Sequence, residues 1–214
     1  MMTNLPYQTT VDQHTLYFLK LAYFKDLSDS LKSASRLAYL DFNRTLNLKE
    51  VPNEVRLQLR REVLGIFREE LPQLTPSIIS HQDQYDCWHY RICCRIKQLY
   101  ASFNIRFTFG QAQKWVNMTL KYLYMLEPEI LEDIFPLLHV PIDNYILKLA
   151  DDYLQISLPT DLAWSKWDDY NELYLPYQNA IRKKVGDLPP LRWEFEYWSK
   201  AIEQARTANN NRTI

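Results

Sequence analysis

The chain has 214 residues, of which 47% are hydrophobic and 14% aromatic, enough to bury the core of one large domain or of two small ones. Its formal net charge of -1 gives no global indication of a polyanionic partner. Three cysteines without a C-x-x-C pair exclude a disulfide scaffold and a zinc ribbon.

Proline, glycine and capping residues divide the sequence into segments of helical length with a 3.6-residue apolar period. The predicted helices occupy residues 12–25, 28–46, 53–71, 82–103, 111–127, 128–137, 142–154, 165–184 and 191–208. Only residues 104–109, NIRFTF, alternate as a strand does, and they are too few to found a sheet. We predict an all-α fold: a compact multi-helix bundle, or two interlocked helical subdomains with a helix-hairpin-helix-like turn. Residues 1–205 are expected to form a single all-helical globular unit and residues 206–214 a disordered tail.

The N-terminal residues lack the basic start, apolar run and cleavage site of a signal peptide. No stretch of eighteen uncharged apolar residues occurs. We therefore expect a cytoplasmic protein without a membrane partner.

Aromatic residues concentrate late in the chain. A set of apolar residues at helical spacing predicts a core stripe there: Trp167, Tyr170, Tyr174, Tyr177 and Ile181. An extruded nucleobase could also stack on one of the late aromatic rings, because every base has a π face.

Charge is unevenly distributed along the sequence. Residues 87–126 contain six cations and no acidic residue, whereas the rest of the chain is net acidic. The cations are Arg91, Arg95, Lys97, Arg106, Lys114 and Lys121. This pattern predicts either a phosphate-facing surface or a set of cations that pair with acidic residues elsewhere in the fold.

Within the basic stretch, FGQAQKWVNMTLKY places one of the three glycines, Gly110, at the start of a predicted helix. Glycine suits a position where the backbone turns sharply or approaches another molecule closely. Lys114, Asn117 and Lys121 fall on one side of this helix, opposite an apolar side, so we expect them to face away from the core.

A second segment, HVPIDNYILKLA, places Asp143 at the start of another amphipathic helix. The acidic residue there is explained either as a helix cap or as a functional carboxylate.

Together the two segments resemble the signature of the helix-hairpin-helix DNA glycosylases. In that family a G-x-G-x-K hairpin continues as K-x-x-N-x-x-L, and a V-D pair follows at the head of the next core helix. Gly110, Lys114, Asn117 and Leu120 keep the family's register, and Ile142-Asp143 corresponds to the V-D pair. Ala112 stands where the family has its second hairpin glycine.

The resemblance implies a DNA-repair enzyme that binds double-stranded DNA and needs no cofactor or metal. Lys114 would attack C1′ of the sugar and form a Schiff base, and Asp143 would assist as the nearby carboxylate. The implied DNA-contacting residues are Gly110, Gln111, Ala112, Gln113, Asn117 and Lys121.

Two alternatives remain open. The chain could be a non-catalytic helical protein that binds a protein or nucleic-acid partner, with Lys114 as a surface lysine and Asp143 as a cap. A weaker alternative is a metal-dependent hydrolase that uses His89, whose i, i+4 neighbour Cys93 could share a metal. No second pair of metal ligands at helical spacing follows, so we expect no metal site.

Overall fold

A computed structural model describes residues 11–210, and the described range is helical without a strand, which confirms the all-α prediction. The α-helices are α1 (Gln13–Phe24), α2 (Ser30–Phe42), α3 (Asn53–Glu70), α4 (Gln82–Ser102), α5 (Phe109–Leu126), α6 (Asn144–Leu154), α7 (Leu175–Val185) and α8 (Pro190–Asn210). Their buried hydrophobic side chains form one continuous cluster. None of the described helices is both long and apolar enough to cross a bilayer.

Two predicted helices are broken into shorter turns. Residues 128–137 form two 3₁₀ turns, Pro128–Ile130 and Glu132–Leu137, because proline lacks the amide hydrogen that a helix interior needs. Residues 165–184 contain a 3₁₀ turn at Trp164–Lys166 and a π-helical turn at Tyr170–Tyr174 that leads into α7. Of the candidate strand, residues 104–108 lie in the segment 103–108 that links α4 to α5, and Phe109 is the first residue of α5.

The predicted ends of the globular unit coincide only partly with the structure. Helix α8 continues to Asn210, into the predicted tail. Residues 211–214 and residues 1–10 lie outside the described range.

Helix α5 is the central helix of the molecule. It packs most extensively against α2 and next against α4. Thr108 begins it with a capping box: the Thr108 hydroxyl accepts from the Gln111 amide, and the Gln111 side chain accepts from the Thr108 amide. Residues 110–120 are all buried, so α5 is surrounded on every side along this length.

The expectation that Lys114 and Asn117 face solvent is therefore wrong. Lys114 is 4% exposed and Asn117 is 1% exposed. Their side of α5 is covered by the segment that precedes α6, where Pro141 and Val140 supply carbonyl acceptors. A polar stripe on a helix indicates solvent only when no other element packs on it.

The late aromatic stripe is confirmed as core. Its members are at most 3% exposed, and they lie on the segment from Trp167 through α7. Trp198, on α8, is 45% exposed and is available for a contact outside the core.

Candidate active site

Lys114 and Asp143 are 29 positions apart in sequence and meet at the start of α6. The Lys114 Nζ donates to Asp143 Oδ2 at 2.6 Å. The other carboxylate oxygen, Oδ1, accepts from the Ile146 amide at 2.9 Å and caps α6. Asp143 is thus both a cap and the partner of a buried amine, and the cap holds the carboxylate in a fixed orientation.

This pair lies in the wall of an open cleft of about 510 Å³ between α1, α2, α5, α6 and α8, here named the Lys114 cleft. Aromatic side chains line much of it, and three of them are well exposed: Tyr23 at 51%, Tyr145 at 58% and Trp198 at 45%. A cleft of this size with exposed rings and a few convergent polar groups can hold a small organic molecule or one nucleobase.

The charged groups of the Lys114 cleft balance one another. Three cations, Lys114, Lys121 and Arg44, line it. Three carboxyl groups do so as well: Asp41, Asp143 and Glu194. The cleft therefore does not attract a polyanion by net charge alone.

Two of these carboxyl groups have displaced pKa values. Burial raises the pKa of Glu194 although Lys121 donates to it at 2.6 Å. Burial also raises the pKa of Asp41, opposed by a hydrogen bond from the Tyr122 hydroxyl. Sequence reasoning did not select either residue; Asp41 comes from α2 and Glu194 from α8, so only the packing of these helices on α5 brings them together.

The residues predicted to contact DNA through the hairpin are buried and bonded within the protein. The Gly110 amide donates to the Trp167 carbonyl at 2.8 Å, and the Ala112 amide donates to the Thr108 carbonyl. The Gln111 side chain bonds Thr108 and Thr45. Because these donors already have internal partners, the predicted phosphate contact at this turn is not available in the structure.

Gln113 and Asn117 belong to a buried hydrogen-bonded network beneath the cleft. Gln113 donates to the Ile142 carbonyl and accepts from the Ile142 amide, which fixes the approach to Asp143. The Asn117 Oδ1 bonds His89 Nε2 at 2.9 Å, and its amide donates to the Tyr174 hydroxyl. These two side chains position neighbouring elements and do not line the cleft.

The basic stretch 87–126 does not form one positive surface. Arg91 and Arg95 pair with Glu70, and Lys97 pairs with Asp168. Lys114 and Lys121 have the carboxylate partners already described. Among the described residues only Arg106 of this stretch lacks such a partner, so the pairing interpretation of the charge pattern holds.

The metal hypothesis at His89 finds no support in the geometry. His89 is fully buried, and both ring nitrogens have hydrogen-bond partners, Tyr170 and Asn117. Within residues 11–210 no group of three or more His, Cys, Asp or Glu side chains is arranged to hold a metal ion.

The buried histidines predict a loss of stability in acid. Burial lowers the pKa of His89 well below 6.5, and burial lowers that of His139 in spite of its hydrogen bond to Asp86. The unfolded chain therefore binds more protons than the folded chain once the pH falls below about 6.5. Each histidine should therefore lower the free energy of unfolding below that pH by up to about 1.4 kcal/mol per pH unit, whereas the raised pKa values of Glu194 and Asp41 act in the opposite direction.

Urea unfolding between pH 7.5 and 5 measures this dependence. The variant His139→Asn should lose up to about 1.4 kcal/mol per pH unit of the slope, because one of the two histidines no longer titrates. The matched control His81→Gln removes an exposed histidine and should keep the full slope. A slope that is the same in His139→Asn as in the native chain would contradict the neutral, buried state of the His139 ring.

Comparisons with models of known protein families, with curated proteins and with solved structures find no match to this chain.

Proposed function

We propose that this chain is a DNA-binding enzyme similar to a DNA glycosylase/lyase, in which Lys114 forms a Schiff base with the sugar of a damaged nucleotide. One observation carries the proposal: a buried lysine amine and an oriented carboxylate lie 2.6 Å apart in the wall of an open cleft. A buried lysine amine is uncommon because removing its charge from water costs free energy. Here the buried amine of Lys114 meets a partly exposed carboxylate beside an open cavity, and such convergent polar groups are a candidate for chemistry.

In the proposed reaction, the electron pair of the neutral Lys114 amine forms a bond to C1′ of the target sugar. The C1′–N glycosidic bond breaks, and its electrons leave with the base, which takes up a proton. Opening of the sugar ring then converts the new C1′–N bond into a Schiff base. The amine must first lose a proton, and the Asp143 carboxylate is the acceptor at hydrogen-bond distance.

The shape of the Lys114 cleft supports a flipped-base substrate. An enzyme of this class must extrude its target nucleotide into a pocket, where aromatic rings stack on the base. Trp198 and Tyr145 present such rings in the same cleft as the reacting pair. The charged groups of the cleft supply both donors and acceptors for the edge of the base.

Borohydride trapping tests the proposal directly. The full chain is incubated with duplex DNA that contains an abasic site, an oxidised purine or an alkylated purine, and sodium borohydride is added to reduce any Schiff base. We expect a covalent protein–DNA adduct that survives denaturing electrophoresis on at least the abasic duplex. Absence of an adduct on all three duplexes would overturn the proposed chemistry.

A second candidate function, non-catalytic protein binding, is favoured by the surface of α1. Its large apolar side chains are mostly exposed: Leu16, Tyr17, Phe18, Leu19, Leu21 and Tyr23. Exposed apolar surface of this extent on one helix is typical of a contact with another protein. Sedimentation velocity at increasing protein concentration tests whether that partner is a second copy of this chain. A monomer at every concentration would exclude self-association through α1.

A further inference from the structure

A groove between α2 and α3, separate from the Lys114 cleft, is lined by four cations and by no acidic side chain. The cations are Lys32, Arg36, Arg60 and Arg61. Its volume is about 210 Å³, and its remaining lining is mainly apolar and aromatic, including Tyr39 and Trp115. This α2–α3 groove lies outside the basic stretch that the sequence pattern selected.

The four cations differ from those of residues 87–126 because they have no carboxylate ion pair among the described residues. One Arg36 nitrogen donates to the Phe24 carbonyl, and the Arg60 guanidinium lies over the Tyr39 ring, 5.3 Å from its centroid. Neither contact supplies a carboxylate partner. Asp26 interacts electrostatically with Lys32 and Arg36 but forms no ion pair with either. Unpaired cations held together in one groove repel one another, and a bound anion removes that repulsion.

An exposed ridge, here named the α2 ridge, joins this groove to the Lys114 cleft. It consists of Lys32, Arg36 and Leu40 on α2 and of Arg44 on the 3₁₀ turn that follows, Asn43–Thr45; these residues recur every four positions, and all are exposed. The first two line the groove, and the last two line the cleft. The ridge rises roughly 18 Å along the helix axis at about 1.5 Å per residue, the axial length of about five base pairs of B-form DNA.

We propose that the α2–α3 groove and the α2 ridge bind the phosphodiester backbone of the nucleic-acid strand whose nucleotide enters the Lys114 cleft. This inference rests on the proposed function, because it assigns the backbone contact for that substrate. The cleft itself has balanced charge and the hairpin donors are occupied, so the backbone must be held elsewhere. Arginine suits this role, since its planar guanidinium matches two phosphate oxygens at once.

The test uses the double variant Lys32→Glu/Arg61→Glu. Neither side chain makes a hydrogen bond or an ion pair within the described residues, and both are exposed, so the fold should be unchanged. Binding of a fluorescein-labelled duplex with one abasic site is measured by anisotropy between 50 and 300 mM NaCl (roughly the range over which counterion release is visible). We expect the affinity to fall about tenfold or more. The slope of the logarithm of affinity against the logarithm of salt concentration should decrease in magnitude by about two.

The matched control is Lys183→Glu/Lys184→Glu, the same charge change at two exposed positions of α7. It should bind like the native chain. Equal affinity of the Lys32/Arg61 variant and the native chain would overturn the inference. Equal competition by polyglutamate and by unlabelled duplex would also overturn it, because the groove would then accept any acidic polymer.

Trapping and affinity report on separate claims. An adduct in the native chain together with unchanged affinity in the groove variant overturns the groove assignment and leaves the proposed chemistry intact. Affinity that depends on the groove together with no adduct overturns the chemistry and leaves a nucleic-acid-binding surface.

Discussion

Replacing Lys114 with glutamine should abolish the borohydride-trapped adduct, reducing its yield at least about a thousandfold. Glutamine has no nucleophilic amine, yet its amide can still donate to Asp143, so the start of α6 should stay in place. The free energy of unfolding should change by no more than about 2 kcal/mol, the scale of one altered hydrogen bond to a charged group. The measurement compares the adduct yield per folded protein between the variant and the native chain, with the free energy of unfolding measured on the same samples.

Two further substitutions separate a nucleophile from a structural ion pair. Lys114→Arg keeps a cation opposite Asp143 but cannot form a Schiff base, so it should also lose the adduct. Lys148→Gln removes an exposed lysine that pairs with Asp152 on α6 and should trap like the native chain. Trapping by Lys114→Arg at the native level would show that Lys114 serves only the fold.

Replacing Gly110 with alanine should destabilise the protein by at least about 3 kcal/mol. A Cβ at this position would lie 1.9 Å from the Trp164 carbonyl oxygen, far inside van der Waals contact. The obstacle is backbone, and the adjacent Gly110–Trp167 hydrogen bond of 2.8 Å holds the two segments together. The helix or the 164–167 turn must therefore move, which disrupts the first turn of α5.

Gly65→Ala provides the matched control. Gly65 lies inside α3, and no atom lies within 4 Å of the added Cβ. Alanine should stabilise α3 by about 0.5–1 kcal/mol because it restricts the unfolded chain. The two alanine variants should thus differ by roughly 4 kcal/mol in urea unfolding. A Gly110→Ala variant as stable as the native chain would contradict the close approach of the Trp164 carbonyl to Gly110.

The role of Gly110 shows how a correct local inference can lead to the wrong partner. The sequence predicts a close approach of the backbone at this glycine, and the structure contains one. The approaching group is the carbonyl of Trp164, more than fifty residues later in the chain. A glycine indicates that space is needed, but it carries no information about what fills the space.

The charge pattern was uninformative for a related reason. Five of the six cations without an acidic neighbour in sequence acquire carboxylate partners from elsewhere in the fold, and only Arg106 does not. The four unpaired cations of the groove lie instead on α2 and α3, outside this stretch. Glu54, Glu62 and Glu69 alternate with the arginines of α3 but do not line the groove.

The sequence by itself determined the helical class, the late aromatic core stripe and the two residues, Lys114 and Asp143, that meet in the cleft. Each of these depends on local information: periodicity, capping or a short motif. Only the tertiary structure decided that residues 110–120 of α5 are buried on every side, that Asp41 and Glu194 face the lysines, and that an unpaired basic groove lies on α2 and α3. Burial and charge pairing are properties of what packs against a helix, and residues far away in the chain supply the covering surface.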